Sequence, residues 1–238
     1  MAFSFIEWTE FTWNPVHGCT PLSSGCLNCY AASMANRLGG RYGYPADDPF
    51  RVTLRPDRLE EPLGLTKPRL IFVCSMADLL HEDVPTSYIQ EVVDVMRSTP
   101  HHTYQVLTKR SERLSELESV IDWPANVWLG VTVEEARYQF RIDHLRATSA
   151  KIKFLSLEPL LGPLPDLNLD QISWVVAGGE AGTRFRAVDP DWIRDVRDQC
   201  LATGGDTAFF FKRHGGRRPK EAGRILDGRT WDQMPVTV

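Results

Sequence analysis

Short, nearly continuous apolar runs recur along this chain, with polar stretches of helical periodicity between them. LIFVCSM (70–76), TYQVLT (103–108), NVWLGVTV (126–133), KIKFLSL (151–157), ISWVVAG (172–178) and TAFFFKR (207–213) are each about strand length. They are rich in Val, Ile, Phe, Trp and Tyr, as strands buried on both faces of a parallel sheet are. FTWNPV (11–16) predicts a further strand. Between the runs, TSYIQEVVDVMRS (86–98) sets Ile89, Val92, Val93 and Met96 at helical spacing, with Thr86 as a cap after Pro85. EEARYQFRIDHLRA (134–147) repeats apolar residues at Tyr138, Ile142 and Leu145. DPDWIRDVRDQCLATGG (189–205) opens on Asp and Pro and stops at Gly204. CYAASMANRLGG (29–40) predicts a short helix beginning at Cys29.

Alternating strands and helices imply βαβ units and a parallel sheet. Six or seven such units predict an α/β fold, a complete or partial parallel (β/α) barrel. Periodicity alone leaves a doubly wound open sheet as the alternative. The 238 residues suit one domain, since α/β barrels commonly run to roughly 200–250 residues. Residues 212–238 form a basic C-terminal segment of that domain, and no internal repeat is present. Segment 39–69, rich in Gly, Pro, Arg and Asp, reads as a long excursion before the next strand.

The chain is 42% hydrophobic and 24% charged, the composition of a soluble globular protein. No apolar run approaches the ~20 residues of a membrane helix. The N-terminal MAFSFIEWTEFTW lacks a basic region followed by a long apolar stretch, so it does not read as a secretory signal. These features predict a cytoplasmic protein without a membrane partner. The net charge of -4 gives no global attraction to polyanions. Residues 212–229, however, carry seven bases (Lys212, Arg213, Arg217, Arg218, Lys220, Arg224, Arg229) against Glu221 and Asp227. That local +5 leaves -9 elsewhere, and such a patch either meets phosphates or is balanced by neighbouring acids.

The chemistry concentrates in the cysteines. Three of the five, Cys19, Cys26 and Cys29, fall within eleven positions at C-x6-C-x2-C spacing, on a loop rich in Gly, Pro and Ser. An odd count, crowded in this way, points to a metal or catalytic site rather than a disulfide framework. Thiolates suit zinc and iron–sulfur clusters alike. A structural zinc site takes four ligands, and an electron-transfer [4Fe–4S] cluster takes four cysteines. Three thiolates would instead leave one iron open to a small molecule. His17, Cys74, His81 and Cys200 are the residues that would close the set around zinc.

The surrounding residues add a resemblance. Asn14-Pro15-Val16-His17-Gly18-Cys19, followed by Gly25-Cys26-Leu27-Asn28-Cys29-Tyr30-Ala31, resembles the cluster loop of radical SAM enzymes, particularly the spore photoproduct lyase-like branch. This chain has three more residues between its first two cysteines than that branch. TWNPVHGC, SMADLLHEDVP, QVLTKR, VWLGVTVE, FLSLEPLLGPL, WVVAGGE and LDGRTWDQMP together resemble a phage-associated family of three-cysteine-motif proteins placed among the radical SAM-like proteins. The resemblance covers nearly the whole chain. It implies a barrel of the radical SAM type, a [4Fe–4S] cluster on Cys19, Cys26 and Cys29, and S-adenosylmethionine (SAM) at the open iron. It further implies an electron-donor protein, and reductive cleavage of SAM to a radical that takes hydrogen from a substrate. It allows for a dedicated partner protein. The lyase likeness, the phage association and the basic segment point to nucleic acid or a nucleotide as substrate. The rival reading is a zinc-stabilised, non-catalytic nucleic-acid-binding protein.

In a parallel barrel the working residues lie at the C-terminal ends of the strands. That rule nominates Ser75, Asp78, His81 and Glu82, then Lys109 and Arg110, then Thr132, Glu134 and Glu135, then Ser156 and Glu158, and finally Glu180 and Lys212. The resemblance implies adenine packing by Tyr30 and acceptors for the SAM amino group at Ser75 or Asp78. It also implies ribose contacts at Thr132 or Glu134, and a cation for the methionine carboxylate at Lys109, Arg137 or Arg141. Glu158 and Glu180 then face the substrate. Each has a structural alternative, because acidic residues favour helix starts and i,i+4 pairs are common on exposed faces. Ala177 to Gly182 lacks the spacing of a phosphate loop and reads as backbone making room for a ligand. His101-His102 reads as structural.

Overall fold

A computed structural model describes residues 1–218 and 222–236; Lys220 and Glu221 of the basic segment lie outside the described residues. The strands are β1 (Ala2–Phe3), β2 (Phe11–Trp13), β3 (Val16–His17), β4 (Thr53–Leu54), β5 (Leu70–Val73), β6 (Thr103–Thr108), β7 (Val127–Thr132), β8 (Ile152–Leu157), β9 (Trp174–Gly178) and β10 (Ala208–Arg213). The α-helices are α1 (Tyr30–Leu38), α2 (Thr86–Ser98), α3 (Ser111–Leu117), α4 (Phe140–Arg146) and α5 (Pro190–Ala202). Eight strands belong to one sheet, in the order β1-β2-β5-β6-β7-β8-β9-β10, and β3 and β4 form a separate pair. β1 is antiparallel to β2, whereas β2–β5, β5–β6, β8–β9 and β9–β10 are parallel. From β2 onward the spatial order follows the chain order. A doubly wound sheet reverses its order at a switch point, so the winding here is that of a complete or partial (β/α) barrel. The expected fold class holds.

The chain divides into two compact units. One comprises Met1–Leu22, Cys29–Leu129 and Thr148–Lys151; the other comprises Ser23–Asn28, Gly130–Ala147 and Ile152–Val238. In the first, α2 buries Tyr88, Ile89, Val92, Val93, Val95 and Met96, a stripe at the spacing its sequence shows. Trp13, Ile71, Val73, Tyr104 and Val106 are buried strand residues of the same unit. In the second, Phe154, Leu155, Trp174, Val175, Phe209 and Phe211 are buried with Ile193 and Val196 of α5. Burial of each such side chain contributes about 1.5–3 kcal/mol, and this term makes the amphipathic patterns decisive. Asp189 caps α5 by accepting from the Asp191 N–H at 2.9 Å, with Pro190 in the first turn.

Three expected elements end differently, each for a local reason. FTWNPV breaks into β2 and β3 because Pro15 has no N–H for a ladder; its carbonyl accepts from Arg55 N–H and Tyr88 Oη. LIFVCSM stops at Val73, since Cys74 adopts a positive φ of 60°. The helix expected over 134–147 becomes a 3-10 turn at Ala136–Tyr138 followed by α4, with Glu135 in extended backbone. Within the Ala177–Gly182 segment the space at Gly179 is filled by the chain itself, whereas that at Gly182 is open. A Cβ on Gly179 would collide with the His214 carbonyl. Gly179 N–H donates to the Arg213 carbonyl, and Gly216 N–H to that of Glu180.

Candidate functional site

The cysteine loop starts where β2 hands over to β3. Asn14 Oδ1 accepts from Ser75 Oγ at 3.2 Å and Met76 N–H at 3.0 Å, tying the ends of β2 and β5 together. Gly18 then turns with φ 83° and donates to the Met76 carbonyl at 3.0 Å. A side chain at that position would strike the Arg51 carbonyl, so only glycine permits the turn that presents Cys19.

Behind Cys19 and Thr20, within the first unit, lies a buried polar cluster. Arg110, at the start of α3, donates from Nε to Glu82 at 2.9 Å and from Nη1 to Asp78 at 3.3 Å and Cys19 Sγ at 3.5 Å. Its Nη2 reaches the Thr20 carbonyl at 3.2 Å and Oγ1 at 2.9 Å. Burial works against the guanidinium charge, but Asp78, Glu82 and Cys19 outweigh it and hold the Arg110 pKa above its ordinary range. Asp78 accepts also from Leu80 N–H, Thr108 Oγ1 and Lys109 N–H. His81 Nδ1 accepts from the Asp83 N–H at 3.1 Å, so its proton sits on Nε2, which donates to Thr20 Oγ1 at 2.8 Å. Desolvation, followed by the Arg110 charge, lowers the His81 pKa and keeps this tautomer neutral.

Cys29 stands at the N-terminal boundary of α1, the first residue of which, Tyr30, donates from Oη to the Ser75 carbonyl at 2.5 Å. The inner face of α1, Ala31 and Ala35, packs with Tyr44 and Met76. Lys109 is half-buried beside the cluster. The structure thus gathers Cys19, Ser75, Asp78 and Lys109 around the loops after β2, β5 and β6. Asp78 ties Thr108, Lys109 and Arg110 together there.

In the second unit the segment from Ser23 to Asn28 is held by three acids. Ser23 Oγ donates to Glu134 and Ser24 Oγ to Glu135, both at 2.5 Å. Asn28 Nδ2 donates to Glu180 at 3.0 Å and the Arg184 carbonyl at 2.8 Å. Gly25 lacks a side chain because the Glu134 carboxylate occupies that space. Glu134 and Arg141 form an ion pair at 2.9 Å, 0% and 2% exposed, and Arg141 also donates to the Thr132 carbonyl at 2.8 Å. Its guanidinium lies 4.2 Å from the Tyr138 ring centroid. Glu180 is bonded to Arg186 through Nε and Nη2. Burial opposes its ionisation, but Arg186 and Asn28 hold its pKa below the usual carboxylate range. At the ends of β8 and β10, Glu158 pairs with Lys212 at 2.6 Å. The geometry thus gives Glu134, Arg141 and Glu180 the work of shaping the loop around Cys26.

None of the five cysteines is in a disulfide; Cys19, Cys26 and Cys29 are partly exposed, whereas Cys74 and Cys200 are buried. The three partly exposed thiols are a donor set whose chemistry fits an iron–sulfur cluster. Among the described residues, no three His, Cys, Asp or Glu side chains are grouped as the ligands of a metal ion. Each residue that would complete a zinc set has another role. The His17 ring stacks on Tyr44 at 4.4 Å, with Nδ1 3.2 Å from Arg55 and Nε2 3.4 Å from Arg58. Burial and then the two guanidiniums lower its pKa to about 4. His81 is committed to Thr20 and Asp83. Burial raises the Cys74 thiol far above its normal range and the Cys200 thiol to about 12.

Arg110 was nominated by its place after β6 but has no assigned role in the sequence; its partners lie 28 to 91 residues away. Ser23, Ser24 and Asn28 were hidden similarly, although three polar residues flanking a cysteine pair are a usable signal. No helix is long and apolar enough to cross a membrane, among the described residues. A family model described as "Protein of unknown function (DUF5131)" matches residues 3–235. No curated protein and no solved structure matches the chain.

Proposed function

The chain belongs to the family described as Protein of unknown function (DUF5131), and on that premise we propose that it is a radical SAM enzyme whose cluster is held by Cys19, Cys26 and Cys29. The observation carrying this reading is the division among its sulfur and imidazole groups. Three thiols are partly exposed on one loop, while His17, His81, Cys74 and Cys200 are all committed elsewhere. That division favours an open three-thiolate set over closed zinc. The likeness to the radical SAM cluster loop, particularly that of the spore photoproduct lyase-like branch, and to the phage-associated family of three-cysteine-motif proteins supports it as well. When bound, the cluster and SAM supply a 5′-deoxyadenosyl radical that abstracts hydrogen.

The chain's own residues support that chemistry in distinct ways. Arg110, fixed by Asp78 and Glu82, orients Cys19 and Thr20. The serine–glutamate pairs fix the segment around Cys26. Lys109 is the cation offered to the SAM carboxylate, and Tyr30 the ring offered to adenine. Glu158, paired with Lys212, is offered to the substrate as a charged, partly buried acceptor. A nucleotide or nucleic acid is the proposed substrate class, with an electron-donor protein as partner and the cytoplasm as compartment.

Anaerobic reconstitution with iron and sulfide tests the reading. The expected product holds about four irons and four sulfides per chain, and after reduction it converts SAM to 5′-deoxyadenosine and methionine. Cys26→Ala abolishes both. Stoichiometric zinc in place of iron, or a loaded and reduced cluster that leaves SAM intact, would end the proposal.

A further inference from the structure

We propose that Arg110 is a positioning residue for Cys19: it donates an N–H···S hydrogen bond to the thiolate and thereby raises the reduction potential of a cluster held there. The inference rests on the cluster reading above and extends it to a residue that the cysteine motif does not contain.

The geometry is specific to a guanidinium. Arginine has five N–H groups in a planar fork, and here five acceptors meet them: Glu82, Asp78, Cys19 Sγ, the Thr20 carbonyl and Thr20 Oγ1. Two carboxylates pin the fork from behind, so the N–H facing sulfur cannot swing away. Thr20 is held from its other side by His81 Nε2 at 2.8 Å, which fixes the residue next to Cys19. Arg110 is buried, so its charge acts on the sulfur with little solvent screening.

Reduction adds one electron to a cluster, and the added charge spreads onto its thiolate ligands. A cationic donor at one sulfur stabilises the reduced form and moves the potential upward. Glu82 partly cancels the Arg110 field, and its side chain is 60% exposed, which makes it replaceable.

The test is a potentiometric titration, with dithionite as reductant, of the reconstituted full chain without SAM, followed by the paramagnetic resonance of the reduced cluster. Iron and sulfide counts establish equal loading. Arg110→Gln is expected to titrate at lower potential than the wild type, and Arg110→Lys to fall between the two because the charge returns without the fork. Glu82→Gln is expected to shift upward. Should Arg110→Gln fail to fold, the opposite signs of Arg110→Lys and Glu82→Gln still decide the matter. Unchanged potentials in loaded Arg110 variants, or shifts of one sign in both positions, overturn the inference and leave the cluster reading standing. A wild-type chain that takes up no cluster overturns both.

Discussion

At the scale of single residues, burial without a partner controls the behaviour of His102. It is buried just before β6; its Nε2 lies 3.3 Å from the Pro62 carbonyl, and Nδ1 has no hydrogen-bond partner among the described residues. The neutral ring therefore donates from Nε2 and leaves Nδ1 bare. A second proton would bury a charge whose Nδ1–H has no hydrogen-bond partner among the described residues. Desolvation, with the His101 and Arg69 charges, lowers the folded pKa, against the upward pull of the Pro62 and Leu65 carbonyls. The unfolded chain then binds a proton that the folded chain refuses, so stability falls as pH drops below about 6.5. Urea unfolding at pH 7 and pH 5 measures this. The wild type is expected to lose more stability across that interval than His102→Gln; equal losses would mean that His102 does not contribute.

At the scale of elements, the Glu134–Arg141 pair joins the end of β7, helix α4 and the segment carrying Cys26. Removing one partner leaves a buried charge alone, a change that typically costs about 3–5 kcal/mol. Glu134→Gln and Arg141→Met should each lower the melting temperature by roughly 10 °C, and the double variant should lose much less than their sum. Circular dichroism melts measure all three, and strictly additive losses would show that the two side chains act separately. This pair also marks the limit of what the sequence discloses. The strands at 103–108 and 208–213 and the helix at 86–98 were legible nearly residue for residue, because burial on both faces writes a continuous apolar run for a strand and burial of one face writes a period for a helix. α3 was not, since seven residues with Leu114 and Leu117 buried are too short for a period to stand out. Pairings such as Ser23 with Glu134 span 111 residues and leave no local trace. The thiols were legible as a set and Arg110 as a residue following β6, but their pairing was not, because only folding brings the end of β6 to that loop.

For the whole molecule, the question is whether a chain of net charge -4 attracts nucleic acid through its basic segment. The structure spends much of that charge internally. Lys212 pairs with Glu158 at 2.6 Å, Arg224 pairs with Asp232, and Arg229 lies 3.5 Å from the Trp231 ring centroid. Asp227, within the segment, binds Arg194 and Arg197 of α5. Arg217, Arg218 and Arg229 remain exposed among the described bases. Each phosphate neutralised on duplex DNA contributes about -0.9 to the slope of log K against log salt. Two or three contacts therefore predict a slope of about -2 to -3, whereas the whole segment engaging would give about -6. Fluorescence anisotropy with a labelled random duplex between about 50 and 200 mM salt, across which the Debye length falls about twofold, distinguishes these. A shallow slope places substrate selection in the loops at the strand ends and favours a nucleotide or a short single strand. The steep slope would mean that Glu158 and Asp232 release their partners, and it would return the basic segment to the centre of recognition.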